Sequence, residues 1–207
     1  MALKFKPEVQ SARILSVGAY RPPRVVPNSE IIERIDSTDE WIQQRTGIVS
    51  RHIAAADESL IDMAEKSALI AIKRAGLTAQ DIDAVIFATI SYPYQAPSAA
   101  TELLVRLGNV KAAAFDLSAA CAGFCYGVAL ANDLVRNKTA TNVLVMGAEK
   151  LSDFTDPDDR ATAFIFADGA GAVVIGPSQD IGIGPTIWGA SAETREAIVL
   201  EPSFLEF

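Results

Sequence analysis

The stretch from Lys111 to Asn137, KAAAFDLSAACAGFCYGVALANDLVRN, restricts the fold of this chain more than any other. It opens with a short apolar run, Ala112 to Leu117, which reads as a buried strand. The chain then turns through Ser118, Ala119 and Ala120 and continues as a helix-like run to about Arg136. That run is Ala, Gly, Val, Leu and aromatics, with charge only at its far end in Asp133 and Arg136. A helix that is apolar nearly all round is a buried helix. Cys121 therefore falls where a strand passes into the first turn of a helix. Such a turn carries unpaired N–H groups and a partial positive charge. A thiolate is favoured there, and the same N–H groups suit the oxyanion of an attacked thioester or ester. The residues alone leave two readings open, because a free cysteine is also commonly a small buried hydrophobe.

Length and composition bound the remainder. The 207 residues fit one large domain or two small ones, and half of them are hydrophobic, enough for a sizeable core. A net charge of −8 argues against non-specific nucleic-acid binding, which needs a basic face. It leaves room for an anionic ligand where a few cations cluster. No apolar run is long enough to span a membrane, and MALKFKPEVQ lacks the apolar core of a signal peptide. Cys121 and Cys125 are the two cysteines, four apart on one helix. That spacing suits neither a disulfide nor, without a nearby histidine, a metal site. A reduced, cytoplasmic protein is expected.

Along the chain, residues 13–20 read as a strand, followed by a proline-rich loop. Asn28 reads as the N-cap of a short helix from Glu30 to Ile35. Ser37 and Glu40 have capping-box spacing ahead of a helical turn around Trp41, which Gly47 ends. Ser59 and Asp62 open the clearest amphipathic helix, Leu60 to Ala75, with Gly76 after it. Ala84–Ile90 is an uninterrupted apolar strand, Ala99–Leu107 a helix closed by Gly108, and Asn142–Ala148 another buried strand. A charged loop, Glu149–Arg160, precedes strand candidates at Ala161–Ala167 and Gly171–Gly176. Residues 181–207 show strand-like pieces and no clean helix. The alternation of strands and helices predicts an α/β fold, a mostly parallel sheet with helices on both faces.

Two tempting sites fail on inspection. ADGAGAVVIG has Val174 where a dinucleotide loop needs its third glycine, and a strand rather than a helix follows. His52, the single histidine, lies in SRHIAA, far from Cys121 in sequence, and reads as structural. Cys125 reads as a packing residue.

The segment DLSAACAGFCYG resembles the active-site segment of the β-ketoacyl-acyl carrier protein synthase III family. GAYRPPRVVPN, IDSTDEWIQQRTGI and DPDDRATAFIFADGAGAVV resemble the same family, in the same order, over nearly the whole chain. The resemblance implies the N-terminal half of a thiolase-like fold. Residues 1–178 would form the N-terminal domain, and 179–207 would begin a truncated C-terminal half. It implies Cys121 as the nucleophile that takes an acyl group from acyl-coenzyme A, the substrate rather than a cofactor, with no metal involved. Condensation with malonyl-acyl carrier protein would follow, starting fatty acid synthesis in a cytoplasmic homodimer.

Trp41 and Arg160 match the family's adenine contacts, Ser37 a hydroxyl position on the same nucleotide, and Arg45 a place for a cation at the phosphates. Taken as residues alone, Trp41 reads as a helix anchor and Arg160 as a solvated loop residue. Ala96 falls where the family shapes the far end of the partner's acyl pocket, and its small size implies tolerance of longer or branched chains. The family's catalytic His and Asn lie in motifs such as HQAN and GNTS, which this sequence lacks. The expectation is a chain incomplete for condensation, with a polyketide starter enzyme and an inactive fragment as the other two readings.

Overall fold

The computed structural model describes residues 11–187 and 189–199. A five-stranded sheet runs in the order β1 (Ser11–Tyr20), β7 (Asp168–Ser178), β6 (Val143–Lys150), β4 (Ala84–Ala88), β5 (Ala113–Leu117). β4 pairs in parallel with β5 and β6, whereas β7 pairs antiparallel with both β6 and β1. Four of the five strands thus point one way, and only β7, inserted between β1 and β6, runs against them. The sheet is mostly parallel by direction, as the βα alternation predicts. A separate two-stranded ladder joins β2 (Arg24–Pro27) to β3 (Ser50–Ile53).

Strand periodicity sorts the core into two layers. Val85 and Phe87 of β4, Leu144 and Met146 of β6, and Ala172 and Val174 of β7 face one cluster, covered by α2 (Leu60–Arg74) and α3 (Ala99–Arg106). Ala84, Ile86, Val143, Val145, Val173 and Ile175 face the other cluster, under α4 (Gly123–Arg136). All five residues of β4 are buried, as a strand covered on both faces must be.

The local signals that start and stop α2 are realised as read. The Ser59 hydroxyl accepts from the Asp62 N–H at 3.1 Å, and the Asp62 carboxylate accepts from the Ser59 N–H at 2.7 Å. Gly76 and Gly108 follow α2 and α3 in the left-handed region that glycine adopts without a steric cost.

Five local expectations are corrected. Asn28 caps no α-helix; it begins a 3-10 turn, Asn28–Glu30, and is buried because its side chain bonds inward. Thr38, not Ser37, caps α1 (Asp39–Thr46), its hydroxyl accepting from the Trp41 N–H at 3.1 Å. Ala161–Ala167 forms hydrogen-bonded turns instead of a strand; Phe164 is buried and Ile165, Phe166 and Ala167 line a cavity without pairing along an edge. β5 is an edge strand rather than a buried one, with Phe115 39% exposed. Beyond β7, the described residues hold a 3-10 turn at Ala192–Ala197 and no strand; Trp188 and residues 200–207 lie outside the description.

Candidate active site

The site lies at the carboxyl ends of the parallel strands, where open α/β sheets present their crevices. β5 ends at Leu117, and Ala120–Ala122 makes a 3-10 turn that runs into α4 at Gly123. Ala120 has φ +43°, a left-handed conformation that is uncommon for an alanine. This sharp turn leaves the Cys121 thiol exposed instead of packed in the core. Gly123 explains the close approach: a Cβ there would sit 3.0 Å from that of Ala88 at the end of β4. Among the described residues no side chain caps α4; the Gly123 N–H donates back to the Ala120 carbonyl, which leaves the first-turn N–H groups after Gly123 without a side-chain cap.

Cys121 lines a cavity of about 500 Å³. Its walls are Ala88, Gly147–Glu149 near the end of β6, Ala167 with the Asp168–Gly171 start of β7, and the side chains of Phe124, Ile165 and Phe166. Small residues make the room: nothing lies within 4 Å of a Cβ placed on Gly171. The wall is mainly apolar, which suits a hydrocarbon better than a sugar or a phosphate.

Two carboxylates missed in the sequence line the same cavity. Glu149 lies within β6, one residue before its end, rather than opening a loop. Its carboxylate accepts from the Ile90 N–H at 3.0 Å, from the Thr89 hydroxyl at 3.2 Å and from the Ser91 hydroxyl. Burial pushes its pKa above the usual glutamate value, against the pull of those donors. Asp168 accepts from the Ala54 N–H at 2.8 Å and the Ser152 hydroxyl at 2.6 Å, fixing the start of β7. The signal available for Glu149 was its place directly after the apolar run VLVMGA, at a strand's carboxyl end.

The residues expected at a nucleotide come together in part. The Arg45 and Arg160 guanidinium carbons lie 5.3 and 5.8 Å from the Trp41 ring centre, so the indole carries two cations. Phe164 meets the same indole edge-on at 5.5 Å. Trp41 is therefore both a packing residue, beside Ile35, Ile42 and Phe164, and part of a basic aromatic cluster. The Ser37 hydroxyl, just before α1, is buried with no hydrogen-bond partner among the described residues. Arg160 also approaches Asp36 at 3.9 Å, an exposed pair of little energetic weight.

Three other residues stay apart from the cavity. His52 Nδ1 donates to the Pro22 carbonyl at 2.5 Å, in keeping with a structural histidine. Cys125 is exposed on α4 and is not part of the wall. Ala96 is exposed in the loop between β4 and α3, away from this chain's own cavity.

Residues 115–192 match the family described as 3-Oxoacyl-[acyl-carrier-protein (ACP)] synthase III. The chain is 53% identical over 186 residues to the β-ketoacyl-[acyl-carrier-protein] synthase III of Kocuria rhizophila, covering 90% of this chain and 52% of that protein. Among solved structures, the priming β-ketosynthase of the R1128 polyketide biosynthetic pathway superposes with a TM-score of 0.90 at 42% identity. That superposition covers 94% of this chain and 58% of the ketosynthase. The 3-oxoacyl-[acyl-carrier-protein] synthase III of Aquifex aeolicus superposes with a TM-score of 0.80 at 40% identity, over 82% and 55% of the two chains. The chain belongs to the 3-oxoacyl-[acyl-carrier-protein] synthase III family. It spans a little over half the length of the relatives it matches. Its fold is the N-terminal part of the family's thiolase-like fold.

Proposed function

We propose that this chain carries the acyl-capturing part of a β-ketoacyl-acyl carrier protein synthase III. The observation that supports this most directly is the exposed Cys121, raised on a strained turn at the mouth of an uncapped helix and open to an apolar cavity. In this reading the Cys121 thiolate attacks the carbonyl carbon of an acyl-coenzyme A. The first-turn N–H groups of α4 stabilise the oxyanion, and the coenzyme A thiolate leaves, taking a proton to become the free thiol. The product is a thioester on Cys121, its chain lying along Ala88, Gly147 and Gly171. Trp41, Arg45 and Arg160 receive the nucleotide end, the indole and guanidinium planes stacking on adenine and the cations meeting phosphate. The Ser37 hydroxyl, buried just before α1, does not face the nucleotide in this geometry.

Condensation with malonyl-acyl carrier protein requires groups that stabilise the enolate formed as carbon dioxide leaves. Among the described residues the cavity holds one thiol and two carboxylates and no imidazole. Acyl capture is the half-reaction that these cavity residues support. We place the N-terminal unit at 1–178, ending with β7, and expect a cytoplasmic homodimer in which Ala96 reaches a partner's acyl pocket. Among the described residues, no helix is long and apolar enough to cross a membrane. The similarity to a priming ketosynthase of polyketide assembly favours a second reading, a starter-unit enzyme outside fatty acid synthesis.

The test is intact mass after incubation with acetyl- and longer acyl-coenzyme A, beside Cys121→Ala. One acyl increment that vanishes in the variant is expected; no increment on folded protein would overturn the reading. Comparing acyl donors separates the two pathways.

A further inference from the structure

A buried cation links the two ends of the site. Arg51, on β3, is 5% exposed, and among the described residues no carboxylate pairs with it. Its guanidinium is spent on carbonyl-type oxygens. Nη1 donates to the Val26 carbonyl at 3.1 Å, and Nη2 to the Asn28 side-chain oxygen at 2.6 Å and the Phe164 carbonyl at 3.1 Å. Nε is buried with no hydrogen-bond partner among the described residues. Burial lowers its pKa from the ordinary arginine value.

As a stability device this is poor, because a buried cation without an anion carries an uncompensated desolvation cost. What it joins is informative. Asn28, held by Arg51, donates to the Asp39 carboxylate at 2.6 Å and to the Ile48 carbonyl at 2.8 Å. These contacts bracket α1, and Asp39 stands two residues before Trp41. Phe164, held by its carbonyl, packs its ring on Trp41. It follows Arg160 by four residues and directly precedes Ile165 and Phe166 of the cavity wall.

We propose that Arg51 is a positioning residue that holds α1 and the 160–167 turns in one register, so that the Trp41–Arg45–Arg160 cluster and the Cys121 cavity act on one donor. A planar fork with five donors can bridge three segments at once; a lysine ammonium cannot span them with the same geometry. The link from this cluster to a coenzyme A donor rests on the function proposed above. The placement of Trp41 does not.

The experiment uses the full chain in a Trp188→Phe background, leaving Trp41 as its single tryptophan. Arg51→Lys and Asn28→Ala are each compared with that parent by acrylamide quenching of Trp41 emission. Acylation of Cys121 is then followed from acetyl-coenzyme A and from the acetyl thioester of N-acetylcysteamine, which has no nucleotide. In Arg51→Lys the quenching constant should rise by about twofold. The half-saturating acetyl-coenzyme A concentration should rise by about tenfold, as expected for a misplaced contact, with little change for the short thioester. Asn28→Ala, which cuts only the α1 arm, should show the same signs more weakly, and it decides the matter if Arg51→Lys does not fold. Unchanged quenching in a folded variant, or equal losses on both donors, would overturn the proposal. If the parent itself shows no preference for the nucleotide-bearing donor, the nucleotide reading fails, and quenching alone still decides the role of Arg51.

Discussion

The two faces of the sheet are built to different ends. On one, α2 lies close along β1. The Ser16 hydroxyl donates to the Ala71 carbonyl at 2.6 Å, Arg74 reaches the Val17 carbonyl at 2.8 Å, and eight residues of α2 are buried. A capping box starts the helix. On the other face, α4 has no cap, begins in a strained turn, and leaves Phe124 38% exposed and Cys125 in the open. Its close fit to the sheet comes from Gly127, where a Cβ would meet Val145 at 2.8 Å. One helix is sealed for stability. The other trades capping and burial for access to Cys121, the usual condition of a functional site.

The sharpest way to break this contrast is a methyl on each face. A Cβ on Gly18 of β1 would lie 2.1 Å from the Ser67 carbonyl oxygen and 2.6 Å from the Ala71 nitrogen, both backbone atoms that cannot turn aside. Gly18→Ala should therefore cost at or above the top of roughly 1–3 kcal/mol in urea unfolding. A near-neutral result would mean that α2 is not held against β1 as described.

Acid titration sharpens the comparison with a smaller effect. The Ser59 hydroxyl, then its N–H and Arg106, hold the Asp62 carboxyl down to about 2 from 3.8. Because the folded pKa is the lower one, this stabilisation is complete above pH 3.8 and is lost as pH falls towards 2. Asp62→Asn should remove that dependence. Glu149, on the cavity side, has the opposite sign. Its folded pKa is raised from 4.5 by burial, so stability is lost as pH rises through the folded value. Glu149→Gln should gain on the wild type above pH 4.5. Urea midpoints across the acid range read both; parallel trends in the two variants would erase the distinction between the faces. Smaller still is Ser59→Ala, which keeps the Asp62 bond to the Ser59 N–H and should cost about 1 kcal/mol.

What was legible in the sequence follows the same division. Ser59, Asp62, Gly76 and Gly108 carry their meaning within a few residues, so α2 and α3 could be read directly. Cys121 could be placed because a strand, a turn and a helix meet there within one short segment. Arg51 could not be read at all, since nothing in SRHIAA says that its three acceptors converge from β2, the Asn28 turn and Phe164. Asn28 looked like a cap because Asn is a good cap, yet long-range bonds took its side chain. AFIF at 163–166 has strand-like composition, and apolar composition alone does not separate a strand from turns that line a cavity. Local chemistry fixes helix ends, whereas the joints of the site depend on contacts distant in sequence.

The smallest expected effect on stability is also the most informative about function. Gly171 faces the cavity from β7, and a Cβ there meets nothing within 4 Å. Gly171→Ala should thus stay within about 0.5 kcal/mol of the wild type in urea unfolding. The added methyl would occupy space beside Gly147, where the acyl chain is proposed to lie. Capture of longer acyl groups by Cys121 should fall relative to acetyl when intact masses are compared across donors. A variant as stable as the wild type with an unchanged donor profile would show that the chain does not lie along β7, and would move the acyl path to the Phe124 side of the cavity. A variant destabilised as much as Gly18→Ala would instead mean that the cavity face is as closed as the face under α2.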